Sequence, residues 1–185
     1  MIKLCSIDFD KTLKYFVKDK FEYQQNECHS NTYSRFYSCN CEEVDLRSND
    51  FSFHTGLICY EDTKKCVIHS WVEDKNNIID VTSISNSQIA FNKNITSNMI
   101  EDIRKILCDK IRYIEYYSIS NVELTRLIRL FFMENNFNEK KAINELENHI
   151  MSIVKKIELD NEFLNKIKKE YGYDLMHDDY IVFIE

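Results

Sequence analysis

A cysteine nucleophile needs a lowered thiol pKa, an imidazole within reach and a group that orients that imidazole. The 185-residue chain has seven cysteines: Cys5, Cys28, Cys39, Cys41, Cys59, Cys66 and Cys108. Cys28 lies in NECHSNTYSRFYS, at or just after the expected start of a helix. There the exposed amides and the macrodipole favour a thiolate. The other six lack this placement. Cys59 and Cys66 sit in apolar strand segments, and Cys108 sits on an apolar helical face.

The imidazole and its orienter come from a hairpin. CVIHSWVE, the turn DKNN and IIDVT read as two antiparallel strands carrying His69 and Asp80. Side chains opposed across such a pair share a face. A turn centred on Asp74-Lys75 pairs His69 directly with Asp80. A turn centred one residue later leaves them diagonal neighbours on the same face, and a three-residue loop would put them on opposite faces. Trp71 and Glu73 share the face of His69, so the indole could shield the imidazole from water.

Around these residues the patterns predict a strand at 2–7 and a helix at 10–20. A second helix is expected at 26–38, with Asn26 as its cap. Strands are expected at 51–60, 66–73 and 78–82, forming an antiparallel meander. Ile100, Ile103, Leu107, Ile111 and Ile114 recur at helical spacing. Ser120 and Glu123 form a capping box ahead of an apolar helix over 122–133. Helices at 139–157 and 161–171 follow, the last stopped by Gly172. YIVFI at the end is a strand able to join the sheet. The chain changes character near residue 95: residues 1–95 read as a catalytic-like core, and 96–185 as a helical region packed on it in one globular unit.

CHSN, FHTGLICY and VIHSWVEDKNNIIDVT together resemble the transglutaminase-like branch of the papain-like cysteine enzymes, and small phage and bacterial proteins with a C-x-x-N, G, HAW, D-x-T order. The matching positions are Cys28 with Asn31, Gly56, His69-Ser70-Trp71 and Asp80-Val81-Thr82. They span roughly residues 24 to 84. The resemblance implies Cys28 as nucleophile, His69 as general base and acid, and Asp80 as orienter of the imidazole. It implies a bracing role for Asn31, and it makes Gln24 and Gln25 candidates for stabilising an oxyanion. His54 and Trp71 are candidate site-lining residues, with a structural role the alternative for His54. No metal or other cofactor is called for.

Two other constellations compete. KLCSIDFDKTL resembles the first motif of haloacid-dehalogenase-type phosphatases, with Asp8 as phosphoryl nucleophile and Asp10 as acid. An acid-rich helix start explains the same residues. Cys39, Cys41, Cys66 and His69 could supply four zinc ligands, at a C-x-C spacing short for a zinc knuckle. Tyr33, Phe36 and Tyr37 on the Cys28 helix suit either core packing or a substrate platform.

Composition narrows the function classes. The formal net charge is -7, and there is no long basic run, which disfavours direct nucleic-acid binding. Two glycines and no proline argue against Gly-rich phosphate loops. No apolar run has membrane-spanning length and the first residues do not form a signal peptide, so reduced thiols in a cytoplasmic setting are expected. The expectation is an α+β fold with a papain-like/transglutaminase-like core, an antiparallel sheet and a helical C-terminal region. The expected activity is cysteine-dependent acyl transfer on a protein or peptide: protease, amidase or transglutaminase. A phage or mobile-element origin fits the resemblance. The 122–133 helix is a candidate homodimer face. The alternative from another class is a non-catalytic acidic viral inhibitor that binds a host defence factor.

Overall fold

The computed structural model describes residues 6–19, 24, 27–40, 51–87 and 96–176. The elements are α1 (Phe9–Asp19), then α2 (Cys28–Ser30), a π-helical turn (Asn31–Phe36) and α3 (Tyr37–Asn40). After them come β1 (Phe51–Tyr60), β2 (Lys65–Asp74), β3 (Asn77–Ile79) and α4 (Val81–Ser85). The remainder is α5 (Ser97–Lys110), β4 (Ile111–Ser120), α6 (Asn121–Glu134), α7 (Glu139–Leu159), α8 (Asn161–Tyr171) and β5 (Asp174–Leu175). The fold is α+β.

The main sheet is antiparallel, in the order β3-β2-β1-β4. β5 adds in parallel at the Lys65–Cys66 end of β2. Since β1 occupies the inner edge of β2, both β3 and β5 lie on its outer edge. β3 covers Val72 to Asp74. Between β3 and β5, residues 67–71 of that edge pair with no strand among the described residues. α2 packs against β2.

The β2–β3 hairpin turns on Lys75 and Asn76, at φ 50° and 71°. Positive φ at both central residues is the two-residue turn whose twist matches that of the strands. It pairs Asp74 with Asn77 and Val72 with Ile79, which is the register that makes His69 and Asp80 diagonal neighbours. β3 is shorter than the sequence predicts. It ends at Ile79, and Asp80-Val81-Thr82 leave the sheet: Asp80 becomes the N-cap of α4, its carboxylate accepting from the Ser83 amide. An Asp followed by Thr and Ser favours a cap over a strand continuation.

One face of β1 carries Phe53, Leu57 and Cys59. Phe53 meets Tyr33, Phe36 and Tyr37 at ring-centroid distances of 5.9, 6.4 and 6.1 Å. These three aromatics therefore pack in the core. Leu146, Ile150, Ile153 and Ile157 of α7 belong to the same buried cluster. Tyr116 on β4 packs edge-on against Phe163 of α8, at 4.9 Å.

The second half of the chain differs from its sequence reading in one element. The helix expected to run through Ile111 and Ile114 stops at Lys110, and IRYIEYYSIS forms β4 beside β1. Its β-branched and aromatic residues suit a half-buried strand, and the step from Leu107 to Ile111 to Ile114 only imitates helical spacing. Residues 96–185 thus contribute to the same sheet as residues 51–79. The capping box at Ser120 and Glu123 is present, and Gly172 ends α8 at φ 78°. In α6, Leu124 is buried while Leu130 and Met133 are exposed. Asn26 and the strand expected at 180–184 lie outside the described residues, as does most of the strand expected at 2–7. Of that last segment, Ile7 bridges to Ile78. No described helix is long and apolar enough to cross a membrane.

Candidate active site

The helical run begins at Cys28, and the N-cap position is Glu27, which makes no side-chain cap. Glu27 fixes the start in other ways. Its carbonyl accepts from the Asn31 amide at 2.7 Å, and its carboxylate pairs with Arg35 at 2.7 Å. The π-helical turn that follows buries Asn31, Thr32, Tyr33 and Phe36. Such turns widen a helix locally and recur at functional sites.

Cys28, His69 and Asp80 come together. The Cys28 thiol is half-buried and interacts with the imidazoles of both His69 and His29. Nε2 of His69 lies 2.8 Å from Oδ2 of Asp80, which leaves Nδ1 as the ring nitrogen for the sulfur. Asp80 is fully buried, and both of its carboxylate oxygens accept hydrogen bonds. Oδ2 also receives hydrogen bonds from Tyr113 Oη at 2.7 Å and from Ser83 Oγ. Oδ1 accepts from the Ser83 amide at 3.1 Å.

The electrostatics favour an ion pair. Burial alone pushes the Cys28 thiol up, but His29 and His69, each through its hydrogen bond and through whatever positive charge it carries, outweigh it and hold the thiol well below its usual range. Burial alone lowers His69, but the Asp80 carboxylate and the Cys28 thiolate raise it to about 10. Asp80 would be raised by burial, and His69, Ser83 and Tyr113 hold it below the usual carboxylate range. A thiolate and an imidazolium are thus the preferred partners around neutral pH.

Asn31 ties three segments together. Its Nδ2 donates to Thr82 Oγ1 at 3.0 Å and to the Gln24 carbonyl at 2.6 Å. Its Oδ1 accepts from the Gln24 amide at 2.9 Å and from Arg35 at 3.0 Å. Through these bonds Asn31 joins the Cys28 helix to Gln24 and to Thr82 of α4, two residues beyond Asp80. Gln24 takes part through its backbone and is exposed. Gln25 lies outside the described residues.

Trp71 is buried two residues from His69 on the same strand face, stacked on His54 with ring centroids 5.7 Å apart. It meets Tyr113 edge-on at 5.2 Å. His54 itself faces Ser52 Oγ at 2.6 Å and Glu115 at 2.6 Å. Gly56 pairs with His69, at a bulge in the β1–β4 ladder. A Cβ there would lie 2.1 Å from the Ile114 carbonyl and 3.0 Å from the Trp71 ring. Only glycine lets β4 and the indole close over this point.

Four contributors are given no role by the sequence: His29, Ser70, Tyr113 and Ser83. His29 adjoins Cys28 and Ser70 adjoins His69, so adjacency is the available clue. Tyr113 was hidden by the helical reading of its segment, and Ser83 by the strand reading of residues 78–82.

The competing constellations take other forms. Asp8 Oδ1 accepts from the Lys11 amide at 3.1 Å at the start of α1. Exposed Asp10 holds Arg104 through both carboxylate oxygens, at 2.6 and 2.8 Å. The sheet beside them is antiparallel, whereas the phosphatase fold needs a doubly wound parallel one. Cys66 and His69 point to opposite faces of β2, because their separation is odd. Cys66 instead pairs with Cys59 across the strands; the thiol contact and burial raise Cys59. Cys41 lies outside the described residues, and among those described no three His, Cys, Asp or Glu side chains converge on a metal position. Compared with protein-family models, curated proteins and solved structures, the chain has no significant match.

Proposed function

We propose that this chain is a cysteine-dependent acyl-transfer enzyme built on a papain-like or transglutaminase-like core. One observation carries the reading: a half-buried thiol at a helix start interacts with an imidazole whose far nitrogen is held by a buried, hydrogen-bonded carboxylate. In the proposed reaction the Cys28 thiolate attacks the carbonyl carbon of an amide, and a C–S bond forms. The tetrahedral adduct collapses as His69 gives its proton to the leaving nitrogen and the C–N bond breaks. The thioester is then attacked by water or an amine, which loses a proton to His69. The C–S bond breaks and the thiolate returns. Asp80 keeps Nδ1 of His69 facing the sulfur and stabilises the imidazolium.

The proposed substrate is a protein or peptide and the proposed setting is the cytoplasm. Residues 122–133 are the proposed face for a homodimer, motivated by exposed Leu130 and Met133. The experiment is substitution of the nucleophile. Cys28→Ala should abolish turnover of a peptide amide library and labelling by an electrophilic peptide, with the fold retained by circular dichroism. Retention of the protein's biological effect in Cys28→Ala would instead favour a binding role without chemistry.

A further inference from the structure

His29 touches Cys28 and is also the end of a buried hydroxyl chain. Its Nδ1 lies 2.7 Å from Ser70 Oγ. Ser70 Oγ lies 2.8 Å from Thr55 Oγ1, and Thr55 Oγ1 lies 3.0 Å from Tyr33 Oη. Ser70, Thr55 and Tyr33 are all buried.

Counting protons fixes the direction of this chain. There are three contacts and three hydroxyl protons. If Tyr33 donates to Thr55, Thr55 to Ser70 and Ser70 to Nδ1 of His29, each proton has one acceptor. A proton on Nδ1 would be a fourth. One of the three hydroxyls, Tyr33, Thr55 or Ser70, would then keep an O–H with no acceptor among the described residues, in a buried site where that is costly. Burial also keeps the Tyr33 phenol protonated, raising it above its ordinary value, so it remains a donor.

We infer that the Tyr33–Thr55–Ser70 chain locks His29 as a neutral imidazole whose Nε2–H donates to the Cys28 sulfur. The two imidazoles at the thiol then differ in kind. His69, backed by Asp80, accepts and returns the proton. His29, with Nδ1 already engaged as an acceptor, holds the thiolate by hydrogen bonding without taking its proton. This rests on the acyl-transfer reading for its purpose, but the tautomer is a property of the resting protein.

Two measurements on the full chain test it. Nitrogen-15 NMR of the histidine rings near pH 7 should show His29 neutral with the proton on Nε2, and Ser70→Ala should remove that preference. Separately, the pH dependence of Cys28 alkylation by iodoacetamide should move upward by about one pH unit in His29→Ala, through loss of one hydrogen bond to the thiolate. His29→Gln, which keeps an N–H of similar reach, should restore most of the shift. A proton found on Nδ1, or a His29→Ala profile that overlays the wild type, overturns the inference while leaving the triad intact. An ordinary thiol profile for wild-type Cys28 would overturn the triad reading itself, whatever tautomer His29 shows.

Discussion

Oδ2 of Asp80 lies 2.8 Å from Nε2 of His69, and the same carboxylate is the N-cap of α4. One side chain therefore orients the imidazole and starts a helix. The position follows from the short β3: the hairpin stops at Ile79, and the chain turns out of the sheet with its first free carboxylate directed back at β2.

This double duty makes Asp80→Asn costly in two measurable ways. Oδ2 accepts from His69, Ser83 and Tyr113 at once, and an amide nitrogen there would confront three donors. Removing one partner of a buried ion pair costs about 3–5 kcal/mol, and urea unfolding should show a loss of that order. In any folded fraction, iodoacetamide should modify Cys28 no faster than an ordinary thiol at pH 7. Wild-type alkylation rates in the variant would remove Asp80 from the site.

Gly56→Ala should be more damaging than its size suggests. The added methyl would meet the Ile114 carbonyl at 2.1 Å, and backbone inside a sheet has little room to give. Overpacking a core usually costs about 1–3 kcal/mol, and this substitution should exceed that range. Because the methyl would also meet Trp71, the only tryptophan, its fluorescence maximum should move to longer wavelength in the same preparation. An unfolding midpoint equal to wild type would mean the bulge at Thr55–Gly56 adapts freely.

Asn31→Ala should uncouple the site without removing any group that does chemistry. Asn31 satisfies the backbone N–H and C=O of Gln24 as well as Thr82 Oγ1. Each buried polar group left unpaired costs about 1–3 kcal/mol, reduced at Gln24 because that residue is exposed. A loss of about 2–3 kcal/mol is expected by chemical denaturation, with slower Cys28 alkylation because the helix start and the α4 loop are no longer joined. Asn31→Asp, which keeps the acceptor but not the Nδ2 donor, should fall between the two.

The parts of this site that were legible in the sequence share one property: their geometry is local. The β2–β3 hairpin is short, so numbering alone places His69 and Asp80 on one face in two of its three simple registers. The start of a helix near Cys28 was visible for the same reason. What failed was local pattern read beyond its range. Ile111 and Ile114 fit a helical period by coincidence, and only the pairing of β4 with β1 decides that they form a strand. Asp80 read as strand because Ile78 and Ile79 before it do, although Asp-Val-Thr-Ser is also a capping sequence. The contacts that complete the site reach from His29 to Ser70, Tyr113 to Asp80 and Asn31 to Thr82. They join segments far apart in sequence, and no single-chain periodicity carries that information.

The ion pair also predicts how stability changes with pH. His69 is raised from 6.5 to about 10 in the folded chain. Its contribution is complete below about 6.5 and is lost as pH rises through about 10. Cys28 is shifted the other way, well below its ordinary value. Its contribution is complete above the unfolded thiol value of about 8.5 and is lost as pH falls through its folded value. Between about 6.5 and 8.5 the two slopes oppose each other, because the unfolded chain loses a proton at His69 while it still holds one at Cys28. Urea midpoints should therefore change little over that interval and fall between pH 8.5 and 10, as His69 alone continues to lose its advantage. His69→Gln should remove the alkaline fall relative to wild type. Cys28→Ala should remove the opposing slope and tilt the interval from 6.5 to 8.5 downward. If wild type and His69→Gln lose stability in parallel from pH 8.5 to 10, the thiolate–imidazolium pair is not what holds this site together.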